Sequence, residues 1–407
     1  MAIPVLYISY DGMTDPLGQS QVIPYLIGLT KLGYSFTLIS CEKTDAYSRD
    51  KDKIAELLKE NNIDWRPLSY TKSPTILSTL YDIYKIKKLA LLLNAEKHFK
   101  MVHCRSYIAA LVGLQLKEKA GLKFVFDMRG FWADERVDGK LWNLKHIVFK
   151  TIYHYFKRKE NSFLRNADYT ISLTHTAKEE LLSWESIPDT TPVKVIPCCV
   201  DLELFDNKNI VPERLKLFRE ELGITLNDKV LLYLGSIGTW YMLEEMMEFF
   251  SVLKQQEPGA KFLFVTKDEH ERILNCAEKY QVRQDILLRP GARAEIPYLI
   301  RLSNYSVFFI LPAYSKKASS PTKQGEIMAM GIPVICNAHV GDTDKIIADY
   351  QSGIVVEGFN STAYKDAIKK LDAGFSEEQI IKGAADYFSL ENGVVRYAEV
   401  YASVLGS

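Results

Sequence analysis

Several features that would point directly to a function are missing from this 407-residue sequence. Its six cysteines lie scattered, with no C-x-x-C pair and no regular spacing to histidine, so we expect reduced thiols and no metal site. The 51 basic and 51 acidic side chains cancel, which gives no bulk field for binding nucleic acid. No apolar run approaches the roughly 20 residues of a membrane-spanning helix. The first residues, MAIPVLYISYDG, lack the basic region and cleavage site of a signal peptide, and we therefore expect a first strand there; the scattered cysteines lead us to expect a cytoplasmic protein.

Short apolar segments rich in β-forming residues alternate along the chain with longer helical patterns. Six lie in the first half (VLYISY, FTLISC, MVHCRS, KFVFDM, YTISL and VKVIP) and six in the second (VLLYLG, KFLFVT, ILLRP, VFFIL, PVICN and GIVVE). Strands separated by helices of about ten or more residues predict βαβ units and mostly parallel sheets. Since the series restarts near residue 229, the predicted fold class is α/β with two Rossmann-like, doubly wound domains.

The segment VIPCCVDLELFD, residues 195 to 206, is the expected joint between these domains. This division predicts an N-terminal domain over residues 1–196 and a C-terminal domain over residues 197–387. The closing amphipathic segment, residues 388–407, predicts a helix that packs back on the N-terminal domain. Ligands of such sheets bind beyond the carboxyl ends of the strands, so we expect the chemistry in a cleft between the two domains.

The segment ASSPTKQGEIMAMGIPVI, residues 318 to 335, predicts an anion site. With Ser320 as the N-cap and a proline at the first helical position, a helix is expected over residues 321–330. Its first turn would present free N–H groups, the hydroxyls of Ser319, Ser320 and Thr322, and the cation of Lys323 at the positive end of the helix dipole.

Phosphate is the guest that such a turn favours, and Glu326 follows close enough to accept hydrogen bonds from the hydroxyls of a ribose. A diphosphate beside a diol describes a nucleotide sugar. The alternative interpretation is a capped helix whose lysine and glutamate are solvated.

These residues also carry a family resemblance. SPTKQGEIMAMGIPVI resembles the donor-binding segment of the retaining glycosyltransferases of family 4, which have the two-domain GT-B fold. VIPCCVDLELF, RNADYTISLT and DPLGQSQVIPYL resemble other segments of that family, in particular of relatives that assemble bacterial surface polysaccharides. The resemblance implies transfer of a sugar from a nucleoside diphosphate donor, UDP-linked by expectation, to a glycan or lipid-linked acceptor. It implies no cofactor besides this co-substrate and no metal.

The family pattern E-x7-E has lost its first acid here, because Ala318 lies eight residues before Glu326. The resemblance implies that Glu326 holds the nucleotide ribose. In YLGSIGTWYMLEE the family's basic residues are also missing, but Gly235 and Ser236 are still expected to approach the diphosphate, with Lys323 supplying the charge. In RPGARAEIPYL, Arg293 is expected to stack on the nucleotide or pair with its charge.

Three segments of the N-terminal domain are candidates for the acceptor side. FDMRGFWADE puts Asp127 and Arg129 at the end of a strand, where the resemblance implies an active-site residue; the alternative is an ion pair that fixes a loop. Arg105 ends the preceding strand. DPLGQSQV is expected to form a loop after the first strand, with Gly18 permitting close approach of a ligand and Gln19 offering polar contacts.

Two segments of the same domain mix apolar and basic residues: KIKKLALLLNAEKHFK, residues 85–100, and HIVFKTIYHYFKRKENSFL, residues 146–164. They predict peripheral contact with the inner face of the plasma membrane, against the alternative of helices with a solvated basic face.

Two rival functions stay open from the sequence. One is a nucleotide-sugar 2-epimerase of the same architecture, and the other is a catalytically degenerate glycosyltransferase that acts as a binding partner. The second is motivated by Ala318 and by the missing basic residues of YLGSIGTWY.

Overall fold

The computed structural model describes residues 2–406, apart from the side chain of Thr75. The predicted start of the first domain at residue 1 and the predicted end of the last helix at residue 407 therefore lie outside the described residues. The chain forms two compact units. Unit 1 comprises Met1–Pro197 together with Leu390–Ser407, and unit 2 comprises Cys198–Ser389.

Unit 1 is built on a seven-stranded parallel sheet with the strand order β3-β2-β1-β4-β5-β6-β7. Its strands are β1 (Ile3–Ser9), β2 (Tyr34–Glu42), β3 (Ile63–Ser69), β4 (Met101–Arg105), β5 (Lys123–Asp127), β6 (Tyr169–Ser172) and β7 (Val193–Val195). Its helices are α1 (Pro16–Gln21), α2 (Ile23–Lys31), α3 (Thr44–Glu60), α4 (Thr75–Lys97), α5 (Ser106–Ala120), α6 (Trp132–Asp138), α7 (Ile147–Asn166) and α8 (His175–Leu182).

Unit 2 repeats this plan with six parallel strands in the order β10-β9-β8-β11-β12-β13. The strands are β8 (Val230–Leu234), β9 (Lys261–Val265), β10 (Ile286–Arg289), β11 (Tyr305–Phe308), β12 (Val334–Asn337) and β13 (Gly353–Val356). The helices are α9 (Pro212–Glu221), α10 (Leu243–Gln256), α11 (His270–Lys279), α12 (Ile296–Arg301), α13 (Thr322–Ala329), α14 (Thr343–Tyr350), α15 (Ser361–Leu371) and α16 (Glu377–Phe388). Short 3₁₀ turns cover Asn207–Asn209, Arg283–Asp285, Arg293–Glu295 and Tyr314–Ala318.

The central strands form because their side chains are apolar on both faces, as a parallel sheet covered by helices requires. All five residues of β8, VLLYL, are buried. The edge strand β3 was not predicted, because IDWRPLS carries charges and Pro67. An edge strand tolerates proline, which has no N–H to donate to a ladder.

The segment expected to be a loop after β1 forms the short helix α1, which corrects the prediction made from DPLGQSQV. Pro16 occupies its first position, where the absent N–H is not needed. Gly18 is buried, and a Cβ at this position would meet the carbonyl oxygen of Gly12 and lie 2.6 Å from Cα of Met13. Packing within the protein therefore requires a glycine at position 18. The close approach of a ligand, which the sequence suggested, is not needed to explain this glycine.

The last helix, α17 (Leu390–Leu405), packs against α2 within unit 1. Gly28 of α2 has Val394 directly above it, at a distance that leaves no room for a Cβ. The rings of Tyr25 and Tyr397 meet edge to face with centroids 5.2 Å apart. Packing between α2 and α17 thus joins the two separate sequence segments that form unit 1.

Candidate functional site

The donor-side candidates lie at the carboxyl end of the sheet of unit 2. Its strand order reverses between β8 and β11, the topological switch point at which doubly wound sheets bind ligands. Gly235 follows β8 directly and has φ of 110°, which a residue with a side chain rarely adopts. Helix α13 begins at the same end, after the strand β11.

The start of α13 differs from the prediction by one residue. Pro321 occupies the N-cap, and the hydroxyl oxygen of Ser320 accepts a hydrogen bond of 3.1 Å from the backbone N–H of Cys198. Ser320 therefore secures the segment that leads into unit 2 and does not cap the helix. Gln324 N–H is bonded to the Pro321 carbonyl, and among the described residues the N–H groups of Thr322 and Lys323 have no acceptor.

Lys323 is buried, with its ammonium held against two aromatic rings. Its Nζ lies 3.7 Å from the ring centroid of Tyr241 and 4.3 Å from that of Tyr233. A Cβ built on Gly235 would lie 3.3 Å from Nζ, so the loop after β8 covers it closely. Within the described chain this nitrogen has no hydrogen-bond partner.

Burial is the dominant influence on Lys323 and lowers its pKa from 10.5 to about 7, against smaller opposing effects of Glu326 and Asp268. A buried cation without a hydrogen-bond acceptor is costly, and proteins retain few of them. Cation–π contact with two tyrosines offsets only part of this cost. An anionic ligand at this position would offset the remaining cost.

This burial predicts a pH-dependent stability that Lys323→Met should abolish. Between pH 7 and 10.5 the unfolded chain keeps the lysine proton while the folded chain has lost it, so the free energy of unfolding should rise with pH across this window. Below pH 7 both states are protonated and the full burial cost is present. Urea unfolding at pH 6, 8 and 10 should show the free energy of unfolding of the wild type rising relative to that of the variant as the pH rises. A constant difference would contradict the buried cation.

Glu326 is also buried, and it forms an ion pair with Arg293. Burial raises the pKa of Glu326, while the guanidinium of Arg293 and then Lys323 act in the opposite direction. Arg293 in turn lies over the ring of Phe205, with Cζ 4.7 Å from the centroid. Two residues that the sequence assigned to separate parts of the nucleotide are thus in direct contact.

Ser236 is already engaged by a residue that the sequence reasoning missed. Its hydroxyl donates to the carboxylate of Asp268, with oxygen–oxygen distances of 2.7 and 3.0 Å, and the N–H of Ile237 donates to the same carboxylate. Arg272 donates to the Ile237 carbonyl at 2.9 Å. Asp268 follows β9 in VTKDE, and its position after a strand was the available signal. Asp268 and Arg272 thus hold the loop after β8 in place. The hydroxyl of Ser236, which the sequence assigned to the diphosphate, is already bonded within the protein.

In unit 1 the structure places Asp127 inside a closed polar cluster. The carboxylate has no exposed surface and accepts a 3.0 Å hydrogen bond from Tyr397 of α17. His103 Nε2 lies 3.5 Å away and Arg129 Nη1 3.8 Å away. Burial raises the Asp127 pKa, but Arg129 and His103 outweigh it, and the net pKa is lowered. Asp127 therefore remains a buried anion that orders Tyr397, His103 and Arg129, while its Oδ1 has no hydrogen-bond partner among the described residues.

Arg129 follows Asp127 with φ of 57°, a left-handed conformation that is uncommon for a residue with a side chain. Such strain clusters at functional sites, because packing must hold it in place. Arg105, at the end of β4, is buried and donates from Nε to Asp11 at 3.3 Å. Gln19 is exposed on α1 and donates to the Thr14 carbonyl at 3.1 Å. Arg105 thus ends β4 and Arg129 follows the end of the neighbouring strand β5, while Gln19 lies on the helix that follows β1, the strand on the other side of β4.

The described residues contain neither a group of metal ligands nor a membrane-spanning helix. No three histidine, cysteine, aspartate or glutamate side chains there are grouped so that they could hold a metal ion. No helix formed by residues 2–406 combines the length and the apolar character needed to cross a membrane.

The chain is similar to glycosyltransferases in sequence. Residues 22–204 match the family model described as Glycosyltransferase Family 4, and residues 216–384 match the one described as Glycosyl transferases group 1. A D-inositol 3-phosphate glycosyltransferase of Corynebacterium glutamicum is 23% identical over 224 residues, which are 52% of this chain and 50% of that protein. The chain thus spans about half the length of the curated relatives it matches.

Solved structures show the same fold over the whole chain. A glycosyltransferase from Rickettsia africae has a TM-score of 0.73 at 18% identity and covers 99% of each chain. HepE of Anabaena, solved in complex with UDP-glucose, has a TM-score of 0.69 at 13% identity and covers 98% of this chain and 100% of its own.

Proposed function

Because the chain belongs to glycosyltransferase family 4 and has its two-domain GT-B fold, we propose that it transfers a sugar from a nucleoside diphosphate sugar to an acceptor hydroxyl. The proposed donor is a UDP-sugar. This choice is supported by the structural similarity to HepE, which was solved with UDP-glucose. The proposed stereochemical course is retention, which follows from the family resemblance of SPTKQGEIMAMGIPVI.

The observation that carries this proposal is the buried, unpartnered ammonium of Lys323 beside the open N–H groups of Thr322 and Lys323. When the bond between the sugar carbon and the diphosphate oxygen breaks, the electron pair stays on the diphosphate and its negative charge grows. A cation already fixed in a water-poor site stabilises that charge without reorganisation. The acceptor hydroxyl then attacks from the face that the diphosphate leaves, and its proton passes to the departing phosphate. No metal takes part in the proposed scheme.

Glu326 is proposed to accept hydrogen bonds from the ribose hydroxyls. Its ion pair with Arg293 supports this role, because the guanidinium opposes the effect of burial and favours the carboxylate. Arg293 is 46% exposed and stacked on Phe205, so its outer face is available to the nucleotide while its inner face holds Glu326. Ser319 and Thr322 are proposed to add hydroxyl contacts to the diphosphate.

Glu326→Gln should weaken binding of UDP by about 10- to 100-fold, since a hydrogen bond to a charged group contributes about 1.5–3 kcal/mol. The same substitution should weaken binding of 2′-deoxy-UDP much less, because the analogue lacks one of the two proposed donors. Isothermal titration of both ligands with both proteins closes this cycle. Equal losses for the two ligands would contradict the ribose contact and leave a purely structural role for Glu326.

In unit 1, Asp127 is proposed as a positioning residue for Arg129, and Arg129 together with Arg105 is proposed to serve the acceptor side. The strained backbone of Arg129 and the buried anion behind it support this assignment. The proposed acceptor is a glycan or a lipid-linked sugar of surface polysaccharide synthesis. The proposed place of action is the inner face of the plasma membrane.

The test of the function is release of UDP from a panel of UDP-sugars, measured with and without candidate acceptors. Acceptor-dependent release that Lys323→Met removes would support transfer. Conversion of the sugar without net release would favour the 2-epimerase. Binding of UDP with neither release nor conversion would favour the degenerate enzyme that acts as a binding partner.

A further inference from the structure

Helix α4 exposes large apolar side chains along one side, in two groups that are separated by Lys87 and Lys88. They lie on one face of the helix over four turns, and Leu77 and Leu92 keep 64% and 61% of their surface in contact with solvent. The row, here called the α4 row, consists of Ile76, Leu77, Leu80, Tyr81, Tyr84, Leu91 and Leu92. Single exposed apolar residues are ordinary, but seven on one side of one helix mark an interaction surface.

The opposite face of α4 explains why the row is exposed. Ser78, Asp82, Ile86, Ala90 and Leu93 recur at intervals of three or four residues, and all are buried. This stripe anchors the helix to unit 1. The helix is therefore apolar on two sides, although only one side has a partner within the described chain.

The exposed charges within the α4 row are positive, and the exposed acid of this helix, Glu96, follows one turn after Leu92. Lys88 is exposed between Tyr84 and Leu91, and Lys87 is partly exposed beside it. The acid within this stretch, Asp82, is buried and paired with Lys85 at 2.7 Å. An apolar row edged by lysines and carrying two tyrosines is complementary to an anionic bilayer interface, where apolar chains lie beneath negative headgroups.

We propose that the α4 row lies in the headgroup region of an anionic lipid bilayer and holds unit 1 on the membrane surface. From Ile76 to Leu92 the helix is about 24 Å long, at 1.5 Å per residue, so the contact is an extended one along the membrane plane. The inference rests on the proposed function only in that such a membrane would carry the lipid-linked acceptor. Of the two segments that the sequence suggested, the proposal selects the one that overlaps α4, because the exposed apolar residues of α7 are fewer: Ile147, Val148 and Tyr155.

The test is sedimentation of the full chain with vesicles of phosphatidylcholine alone and of phosphatidylcholine with an equal share of phosphatidylglycerol. The wild type should bind the anionic vesicles and bind the neutral ones at least tenfold more weakly. The triple variant Leu77→Gln, Leu80→Gln, Leu92→Gln should lose at least tenfold in binding to anionic vesicles. Lys87→Gln with Lys88→Gln should weaken binding most at low salt.

The matched control is Leu217→Gln with Leu226→Gln, which removes two leucines of unit 2 that are 63% and 87% exposed. This variant should bind vesicles as the wild type does. Binding of UDP, measured on every variant, reports the donor site separately, so failure of the membrane contact and failure of the proposed function are distinguished. Unchanged sedimentation of the triple variant would overturn the proposal. So would a concentration-dependent dimer that the triple variant abolishes, which would assign the row to a second copy of the chain.

Discussion

Lys323→Met is expected to lower the rate of sugar transfer by about 10²–10³-fold, the effect of removing one preorganised group that stabilises transition-state charge. Methionine keeps most of the apolar volume against Tyr233 and Tyr241 and removes the cation. Affinity for UDP should also fall, because the ammonium no longer faces the diphosphate. Steady-state kinetics with the donor identified by the panel, together with titration of UDP, measures both effects.

The same substitution should leave the fold intact or stabilise it. Replacing a buried charge that has no partner by an apolar side chain of similar size removes a desolvation cost. Loss of turnover with an unchanged or higher thermal midpoint is the signature of a functional residue, since a structural one would lose both. Lys365→Met, at an exposed position of α15, is the matched control and should change neither quantity. A wild-type rate in Lys323→Met would refute the assignment of the donor phosphate site.

Gly18→Ala is expected to lower the free energy of unfolding by about 2–3 kcal/mol. The added methyl group would meet the Gly12 carbonyl oxygen and lie 2.6 Å from Cα of Met13, and backbone atoms cannot rotate away as a side chain can. Alanine favours a helix over glycine by about 1 kcal/mol, but the clash with the backbone is the larger effect and decides the sign. Urea unfolding followed by the four tryptophans of unit 1 (Trp65, Trp132, Trp142 and Trp184) measures the change.

Leu17→Ala is the control for Gly18→Ala, because Leu17 is 52% exposed on the same short helix. It should change stability by less than about 0.5 kcal/mol. The sequence alone suggested that Gly18 serves a ligand, in which case its substitution would impair transfer and leave stability unchanged. That outcome would restore the ligand role and contradict the packing explanation.

The sequence predicted the strands of both units well wherever they were apolar on both faces. VLLYL and the FLFV of β9 are short apolar runs rich in β-forming residues, which is typical of a parallel strand that is covered on both faces. The strand Ile63–Ser69 was missed since its charges and Pro67 resemble a loop, and only its place at the edge of the sheet makes them acceptable. Helix α1 was missed for a similar reason, because proline and glycine are generally helix breakers. Here Pro16 occupies the first position of the helix, and Gly18 lies where there is no room for a Cβ.

The sequence by itself determined the class of fold and the family, and it selected the segment for which we propose an anion site, because these depend on local periodicity and on residues close together in the chain. Tertiary structure alone decided the state of each group. Lys323 became a buried cation because Tyr233 of β8 and Tyr241 of the loop after it enclose it, and Glu326 stays paired because Arg293 reaches it from another turn. Asp127, expected to meet a substrate, was enclosed by Tyr397, which lies 270 residues away in the chain. Burial and charge pairing are set by neighbours in space, and no local pattern carries that information.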